Sequence, residues 1–471
     1  MTVPWAATSI AIEIDRSLST PINGQIAATL RSAILEGRLR PGARLPSWLD
    51  LASQLGVARG TVRAAYEALA DEFLIVSAGA SGTRVAEGTT AKPAADVDIA
   101  RPLEGLLRGF SLKPLPFQMG VPAQDAFPAK LWSRLRTRAA REDAMAPVGP
   151  ADPRGHQGLR AEIASMLAIT RSISCVPDQV ILTSGFKNGL CLTLLAIAAH
   201  GSEAWIEDPG FPLARNGLVL AGVKPVPVAV DSEGIRVDLG IAGAPKAKLA
   251  IVTPTEQAPT GVSLSPRRRR ELLDWASREK SWIIEDDYLG GLQLSGRVSP
   301  ALAAEDRGTR VIHIGTFSKS LSPALGLGFV VAPVELAARF ADVAAFLSPA
   351  PNTTTQLALA NFLSEGYFLR HLRHMKRLYR ERLEALEARL KLSIDVEPAG
   401  GLALLARLPR GTDDVGLARR AVDHGIAPLP LSIWFEESSS ALPGLLLSAT
   451  NVNSRNLERT SQTLLRLIAE V

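Results

Sequence analysis

The spacing of apolar positions changes character along the chain. Over Ile22–Glu36, the residues Ile22, Ile26, Leu30 and Ile34 recur at every fourth position, the stripe of a helix buried on one side. Gly37 stops that helix. Ser47 with Asp50 forms a capping pair for a short helix, Trp48–Leu55, and Gly56 supplies a turn. A further helix, Ala58–Glu72, begins at once, with Val62, Tyr66 and Leu69 turned inward. Leu74–Ser77 and Arg84–Ala86 flank a Gly-rich tip and predict a small hairpin. Residues 87–115 have weak periodicity and several prolines, and read as a linker with one helical turn near Leu103–Leu107. From residue 116 onward, short apolar runs (VILT, AWIE, KPVPVAV, LAIVTP, WIIEDD, RVIHIGTF) alternate with helical stretches. That alternation predicts an α/β unit with a mostly parallel sheet and helices on both faces. A charged amphipathic helix, Tyr367–Leu392, and the mixed segments after it predict a small C-terminal α/β subdomain over about 365–471.

Length and composition narrow the classes. At about 150 residues per domain, the 471 residues give about three folding units, or a small domain and a large one. With 46% hydrophobic and 21% charged residues, the chain can bury a core, which excludes disordered, collagenous and disulfide-scaffold classes. Cys175 and Cys191 are too few for a disulfide framework and fit a reducing, cytoplasmic setting. The six histidines show no metal-ligand spacing, so no metal is expected. No apolar run approaches the ~20 residues of a membrane helix. The start, MTVPWAATSIAIEID, has no basic segment and turns acidic early, so a signal peptide is not expected.

The net charge of +5 permits nucleic-acid binding without demanding it, so its distribution decides. Between Arg38 and Arg63 stand five arginines against one acid, Asp50. They surround a helix, tight turn and helix, the geometry in which the second helix enters the major groove of DNA. The planar guanidinium suits both phosphate and guanine. The runs RLRPGARLPS and LASQLGVARGTVRAAYEAL, followed by the wing end SGTRV, resemble the winged helix of GntR-type bacterial repressors. By that resemblance Arg44, Arg59, Thr61, Arg63 and the wing residue Gly82 contact an operator duplex. The chain departs from the family pattern at Trp48 and Leu49, where Ser–Arg is usual, and at Arg84 in the wing.

Four features of the large segment bear on chemistry. Lys319, in TFSKSLSP after the predicted strand Arg310–Gly315, suits a Schiff base with an aldehyde cofactor, although alone it reads as a surface lysine. WIIEDDY ends in acids; Asp286 can face a pyridinium nitrogen and Tyr288 a phenolate oxygen, or the acids can merely cap a helix or bind a metal. LTSGFKNGL is a strand, a Gly turn and a helix start, with backbone N–H groups for a phosphate or for a simple cap. EDPGFP places Phe211 to stack on a ring or to fill a core. These features, with the Pro259–Gly261 turn between them, stand in the order found in fold-type I pyridoxal-phosphate enzymes. The blocks DPRGHQGLR, EDPGFPLAR, VTPTEQAPTG, WIIEDDY and HIGTFSKSLSPALGLG closely resemble MocR regulators, GntR-type winged helices fused to an aminotransferase-like domain.

This resemblance implies a winged helix-turn-helix over 8–86, a linker over 87–115, and a fold-type I aminotransferase-like domain over 116–471. Lys319 is then the Schiff-base lysine of pyridoxal 5'-phosphate; Asp286 pairs with the ring nitrogen and Tyr288 with the ring oxygen. Ser184, Gly185 and Thr316 lie near the phosphate, and Phe211 stacks on the ring. The arginine that clamps the phosphate in the family is replaced by Gly326. Phe186 and Lys187 replace the usual hydroxyl or amide of the phosphate loop, with Lys187 a candidate substitute cation. Glu256 replaces a histidine and Ala258 an aromatic.

The expected function is a homodimeric transcriptional regulator, its effector the cofactor itself or an amine or amino acid that reacts with it. Two alternatives stand beside it. One is a working aminotransferase with an attached DNA-binding module. Ala441–Asn451 has no arginine for a substrate carboxylate, which counts against this, although Arg407 or Arg455 could substitute. The other is a regulator whose large domain only dimerises. The tetrad Arg267–Arg270 reads as a solvated helix face, and His156 is open between a structural and a functional role.

Overall fold

The computed structural model describes residues 12–77, 82–87, 114–145, 151–294, 300–306, 308–347, 352–436 and 442–470. The chain divides into two compact units, Met1–Leu106 and Leu107–Val471. The helical turn expected near Leu103–Leu107 lies outside the described residues.

In the first unit, helices α1 (Ile22–Leu35), α2 (Trp48–Leu55) and α3 (Arg59–Asp71) precede strands β1 (Ile75–Ser77) and β2 (Thr83–Val85). The apolar stripe read in the sequence forms the core: Ile26, Leu30 and Ile34 pack with Leu51, Val62, Leu69, Ile75 and Val85. Ser47 caps α2 by accepting the Asp50 amide at 3.1 Å, and Gly56 ends it in the left-handed conformation. The strands pair antiparallel, Ile75 against Val85 and Ser77 against Thr83.

The second unit holds an eight-stranded sheet. Its strands are β3 (Val180–Thr183), β4 (Glu203–Asp208), β5 (Lys224–Asp231), β6 (Gly234–Ile235), β7 (Leu249–Val252), β8 (Trp282–Asp287), β9 (Val311–Thr316) and β10 (Gly328–Val331). They lie in the order β3-β10-β9-β8-β7-β4-β5-β6. The central run from β9 to β5 is parallel; β7, β8 and β9 are buried along their whole length because helices cover both faces, while β5 is mostly half-buried or exposed. Ile283 faces a cluster with Leu272, Trp275 and the stacked ring of Trp205, while Ile284 faces one with Leu190, Leu218 and Ile314. Each such side chain contributes about 1.5–3 kcal/mol by leaving water. β10 was absent from the strands expected; it is four buried residues, GFVV, antiparallel to both β3 and β9.

A small antiparallel sheet follows: β11 (Val396–Ala399), β12 (Ala403–Arg407), β13 (Leu429–Pro430) and β14 (Gly444–Ser448), in the order β11-β12-β14-β13. The long helix, Tyr367–Leu390, packs its last turns (Leu386, Leu390) on this subdomain.

The arginine tetrad departs from the expected solvated face. Arg268 and Arg269 are buried on the helix Pro266–Glu279, Arg268 paired with Asp231 at 2.9 Å and Arg269 with Glu305 at 2.8 Å. Four consecutive residues span a whole helical turn, so two must share the core side with Leu272 and Trp275. Arg267 and Arg270 stay exposed.

Candidate functional site

Two sites are built from these elements, one in each unit. In the first, α3 opens with Arg59, exposed, and Thr61, half-buried. Tyr66, on the inner side of the same helix, donates to the Pro46 carbonyl at 3.0 Å and fixes the helix against the preceding loop. Arg63 is exposed and pairs with Glu67 at 2.8 Å. Arg44 bridges to Arg84 of the wing strand, and its guanidinium lies against Gly82: a Cβ there would sit 3.1 Å from Nε. The five expected DNA-facing positions thus divide between the start of α3 and the base of the wing, in a segment where Arg40, Arg44 and Arg59 have no ion-pair partner among the described residues while Arg38 and Arg63 pair with Glu36 and Glu67.

The second site lies where the parallel strands end. Ligands of such sheets bind beyond the carboxyl ends of the strands. β8 ends at Asp286 and Asp287, with Tyr288 next; β9 ends at Thr316, with Lys319 in the turn after it; β3 leads into Ser184 and Gly185. In the β8–β9 register Asp286 lies beside Ile314, so the two strands carry Asp286 and Lys319 to the same end. Neither the Lys319 amine nor the Asp286 carboxyl has a hydrogen-bond partner among the described residues. Burial pushes the amine down to about 8, while the Asp286 charge acts the other way. Burial, followed by the neighbouring Asp287, raises the Asp286 carboxyl well above the usual carboxylate range. Tyr288 has a buried hydroxyl that donates to no group among the described residues, with the Gly401 backbone beside it, and burial with the Glu256 and Asp286 charges raises its proton affinity.

Three consecutive acids on β8 do different work because side chains alternate across a strand. Glu285 and Asp287 face the opposite side from Asp286. Glu285 accepts the Leu302 and Ala303 amides at 2.7 and 3.1 Å and holds His313 Nδ1 at 3.0 Å. Asp287 pairs with the buried Arg171 at 2.9 Å and lies 3.7 Å from His313 Nε2. Burial opposes the Glu285 charge, but His313 and the two amides outweigh it and keep its carboxyl below the ordinary value. Asp286 alone is left for the cleft.

Around the cleft, Gly185 takes φ +108° as the N-cap of the helix Phe186–Ala196, a conformation natural to glycine. The amide of Ser184, which is exposed, is capped by Asn188 at 3.0 Å, and Lys187 is exposed on the first turn. Thr316 Oγ1 accepts the Ser318 amide at 3.1 Å and donates to the Ser318 hydroxyl at 3.0 Å. Gly326, where the resemblance calls for arginine, has nothing within 4 Å of the place a Cβ would occupy. Phe211 packs edge-on to Phe186 at 5.9 Å and against Trp434 at 6.0 Å. His156 caps the helix Gln157–Arg171 by accepting the Leu159 amide at 3.3 Å, a structural role.

Several lining residues were not read from the sequence. A Cβ on Gly120, at φ +84°, would lie 2.4 Å from Lys319 Nζ, so only glycine lets the amine sit there. Glu207 is buried, accepts the Thr253 amide at 3.2 Å and its hydroxyl at 2.6 Å, and burial pushes its carboxyl up to about 7. Trp434 and Leu446 belong to an apolar cluster that also holds Leu431, Met119, Phe211 and Tyr288. A strap of bonds ties Trp434 across Phe211: its carbonyl accepts the Gly210 amide at 2.9 Å, and Arg215 pairs with Glu436 at 3.0 Å. These residues lie far from Lys319 in sequence, and no local spacing marks them. Of the substitute arginines, Arg407 is exposed and paired with Glu397, and Arg455 is exposed.

Comparison with known proteins follows this division. Residues 22–85 match the family described as bacterial regulatory proteins, gntR family, and residues 138–434 match aminotransferase class I and II. The probable rhizopine catabolism regulatory protein MocR of Rhizobium meliloti is 36% identical over 445 residues, covering 90% of this chain and 89% of that protein. The pyridoxine biosynthesis transcriptional regulator PdxR of Corynebacterium glutamicum is 33% identical over 373 residues, 77% of each chain. Among solved structures, the kynurenine aminotransferase of Pyrococcus horikoshii, in complex with PMP, superposes with a TM-score of 0.69 at 23% identity, over 79% of this chain and 95% of that one. The α-aminoadipate aminotransferase LysN of Thermus thermophilus, complexed with N-(5'-phosphopyridoxyl)-L-leucine, gives 0.68 at 25%, over 79% and 95%. No described helix is long and apolar enough to cross a membrane. With a gntR-family region ahead of an aminotransferase class I and II domain of fold-type I architecture, the chain belongs to the MocR-type transcriptional regulators.

Proposed function

We propose that this regulator binds an operator duplex through α3 and the wing, and that its aminotransferase-like domain holds pyridoxal 5'-phosphate as part of a sensor for that compound or for an amine presented to it. The observation that carries the reading is the Lys319 amine, unpartnered beside Asp286 and held down to about 8 by burial. A lysine free of partners and easily deprotonated is what condensation with an aldehyde requires.

The residues present fit the cofactor at its ring end. Among the described residues the buried Tyr288 hydroxyl donates to nothing, and the Asp286 carboxyl has no hydrogen-bond partner. When bound, the cofactor supplies an aldehyde and an electron-withdrawing ring. Asp286 would hold a proton at the ring nitrogen, Tyr288 would donate to the ring oxygen, and Phe211 would lie against the ring. The phosphate would rest on the first turn of the helix Phe186–Ala196, near Ser184, Gly185 and Thr316. Lys187 would supply the positive charge that Gly326 does not. The gntR-family relatives and the pyridoxal-type ligands of the similar solved enzymes support both halves of this reading. The same reading includes a homodimer, a cytoplasmic setting and residues 87–115 as the linker between the two activities.

Titration of the full-length protein with pyridoxal phosphate tests it. A visible absorption band should grow to one equivalent per chain and vanish in Lys319→Ala. Affinity for a duplex selected by the protein from a random-sequence pool should change when the cofactor is added. A flat spectrum, or a duplex affinity indifferent to the cofactor, would reject the sensor.

A further inference from the structure

The sensor reading leaves open what kind of amine the cleft accepts, and its charges answer that. Beyond Lys319, the cleft-side groups form a chain of close approaches. A Cβ on Gly401 would meet Met119 Cε at 2.8 Å, and one on Gly400 would sit 3.3 Å from the Tyr288 hydroxyl. The Gly401 amide donates to Glu256 Oε1 at 3.1 Å. Met119 precedes Gly120, against which the Lys319 amine rests. Glu256, Tyr288, Met119 and Lys319 therefore border one space.

That space is poor in cations. The acids that act on Tyr288 are Glu256, Asp286 and Glu207, and Lys319 is the one cation that acts on Asp286 among the described residues. The nearby guanidinium groups are already engaged: Arg171 with Asp287, Arg215 with Glu436, and Arg382 with Asp125 at 2.6 Å. At Leu446, on the small-sheet side, the side chain is fully buried in the cluster with Trp434, Leu431 and Leu405. A carboxylate placed there would lose its water without gaining a counter-charge. Two donors in this cluster remain unsatisfied among the described residues: the Tyr288 hydroxyl and the indole N–H of Trp434, whose side chain is 4% exposed. Such orphaned groups point to a ligand.

We propose that the effector is a primary amine that carries no carboxylate and bears a second donor group, as a diamine or amino alcohol does, with Glu256 as the acceptor for that group. This rests on the sensor reading and deepens it. Its amino group would lie toward Lys319 and its carbon chain against Met119 and the Trp434 cluster. Glu256 makes the cleft acidic, and the cluster of Trp434 and Leu446 behind Met119 and Tyr288 makes its wall apolar, where an amino-acid pocket needs positive charge.

Matched ligands test the proposal on the pyridoxal-phosphate-loaded, full-length protein. The pairs are 1,4-diaminobutane with ornithine and ethanolamine with serine, each pair differing by one carboxylate. The readouts are the visible absorption band, tryptophan fluorescence and affinity for the selected duplex. Each amine should act at a concentration about tenfold or more below its amino acid, as expected when a charge must be buried unpaired. Glu256→Gln should weaken diaminobutane about tenfold and leave propylamine, which has no second donor, at its original affinity. Equal or tighter binding of the amino acids, no response to either member of a pair, or equal loss of propylamine and diaminobutane in Glu256→Gln would overturn the proposal. Failure of pyridoxal phosphate to load, or of the loaded protein to alter duplex affinity, would instead overturn the sensor reading beneath it.

Discussion

Replacing Arg171 with methionine isolates the ion network behind the cleft. Arg171 and Asp287 are 1% and 3% exposed and 2.9 Å apart, so neither charge is solvated. Methionine fills similar volume and removes the charge, leaving Asp287 without its ion-pair partner and with the His313 imidazole Nε2 at 3.7 Å. Breaking a buried pair from one side costs about 3–5 kcal/mol, chiefly as the desolvation of the partner left behind. In the double variant Arg171→Met, Asp287→Asn, no orphaned charge remains, so the loss should be smaller than the two single losses added, by about 1–3 kcal/mol. Urea unfolding followed by tryptophan fluorescence reads both numbers in the transition of the large unit, where Trp205, Trp275 and Trp282 are buried. A single-variant loss below about 1 kcal/mol, or strict additivity, would refute the buried pair. The consequence would reach the cleft as well, because the Asp287 charge, next to burial, is what raises the Asp286 carboxyl.

Other expectations can be checked singly. Lys319 has a folded-state amine at about 8 against an ordinary 10.5, so the unfolded chain binds more protons between those values and stability from this group rises with pH there. Lys319→Met should therefore stabilise the cofactor-free protein by about 3 kcal/mol at neutral pH, with the advantage fading as pH rises from about 8 to 10.5; a pH-independent difference in urea unfolding would contradict this. Gly120→Ala places a methyl group 2.4 Å from Lys319 Nζ at a left-handed backbone position; it should cost about 1–2 kcal/mol and displace the amine, seen as weakened binding of pyridoxal phosphate in spectral titration. Gly326→Arg, at a left-handed backbone position with open space around it, should cost about 1 kcal/mol of stability and yet tighten pyridoxal phosphate about tenfold by calorimetry if the phosphate lies where proposed. Arg44→Ala and Arg59→Ala should each flatten the dependence of log affinity on log salt by about 0.9 if each meets one phosphate of the duplex; an unaltered slope assigns them elsewhere.

Much of this architecture was legible because its signals are local. The stripe Ile22, Ile26, Leu30, Ile34 and the Ser47 cap set the winged helix by period and by one hydrogen bond, and both stand in the structure. The buried runs of β7, β8 and β9 are continuous, as parallel strands covered on both faces must be. β10 escaped because four residues between a glycine-containing turn and Pro333 carry no periodicity of their own. Lys319, Asp286 and Tyr288 were legible because each sits just at or beyond a strand end, and the fold brings strand ends together. Glu207, Gly120, Arg171 and Trp434 were not, because each reaches its neighbours only by tertiary contact. The arginine tetrad was misread by treating four like charges as one face, when a helix turns through a full circle over that length.

β8 joins the two kinds of information. Its acids are consecutive, yet Glu285 and Asp287 anchor the scaffold while Asp286 is spent on the cleft. Deleting one residue early in the strand would exchange these duties: two carboxyls would crowd the ligand space, and Arg171 and His313 would face a single acid. Reading frame, in the spatial sense of which residue meets which face, is thus as much a part of this protein's chemistry as the identity of the acids themselves.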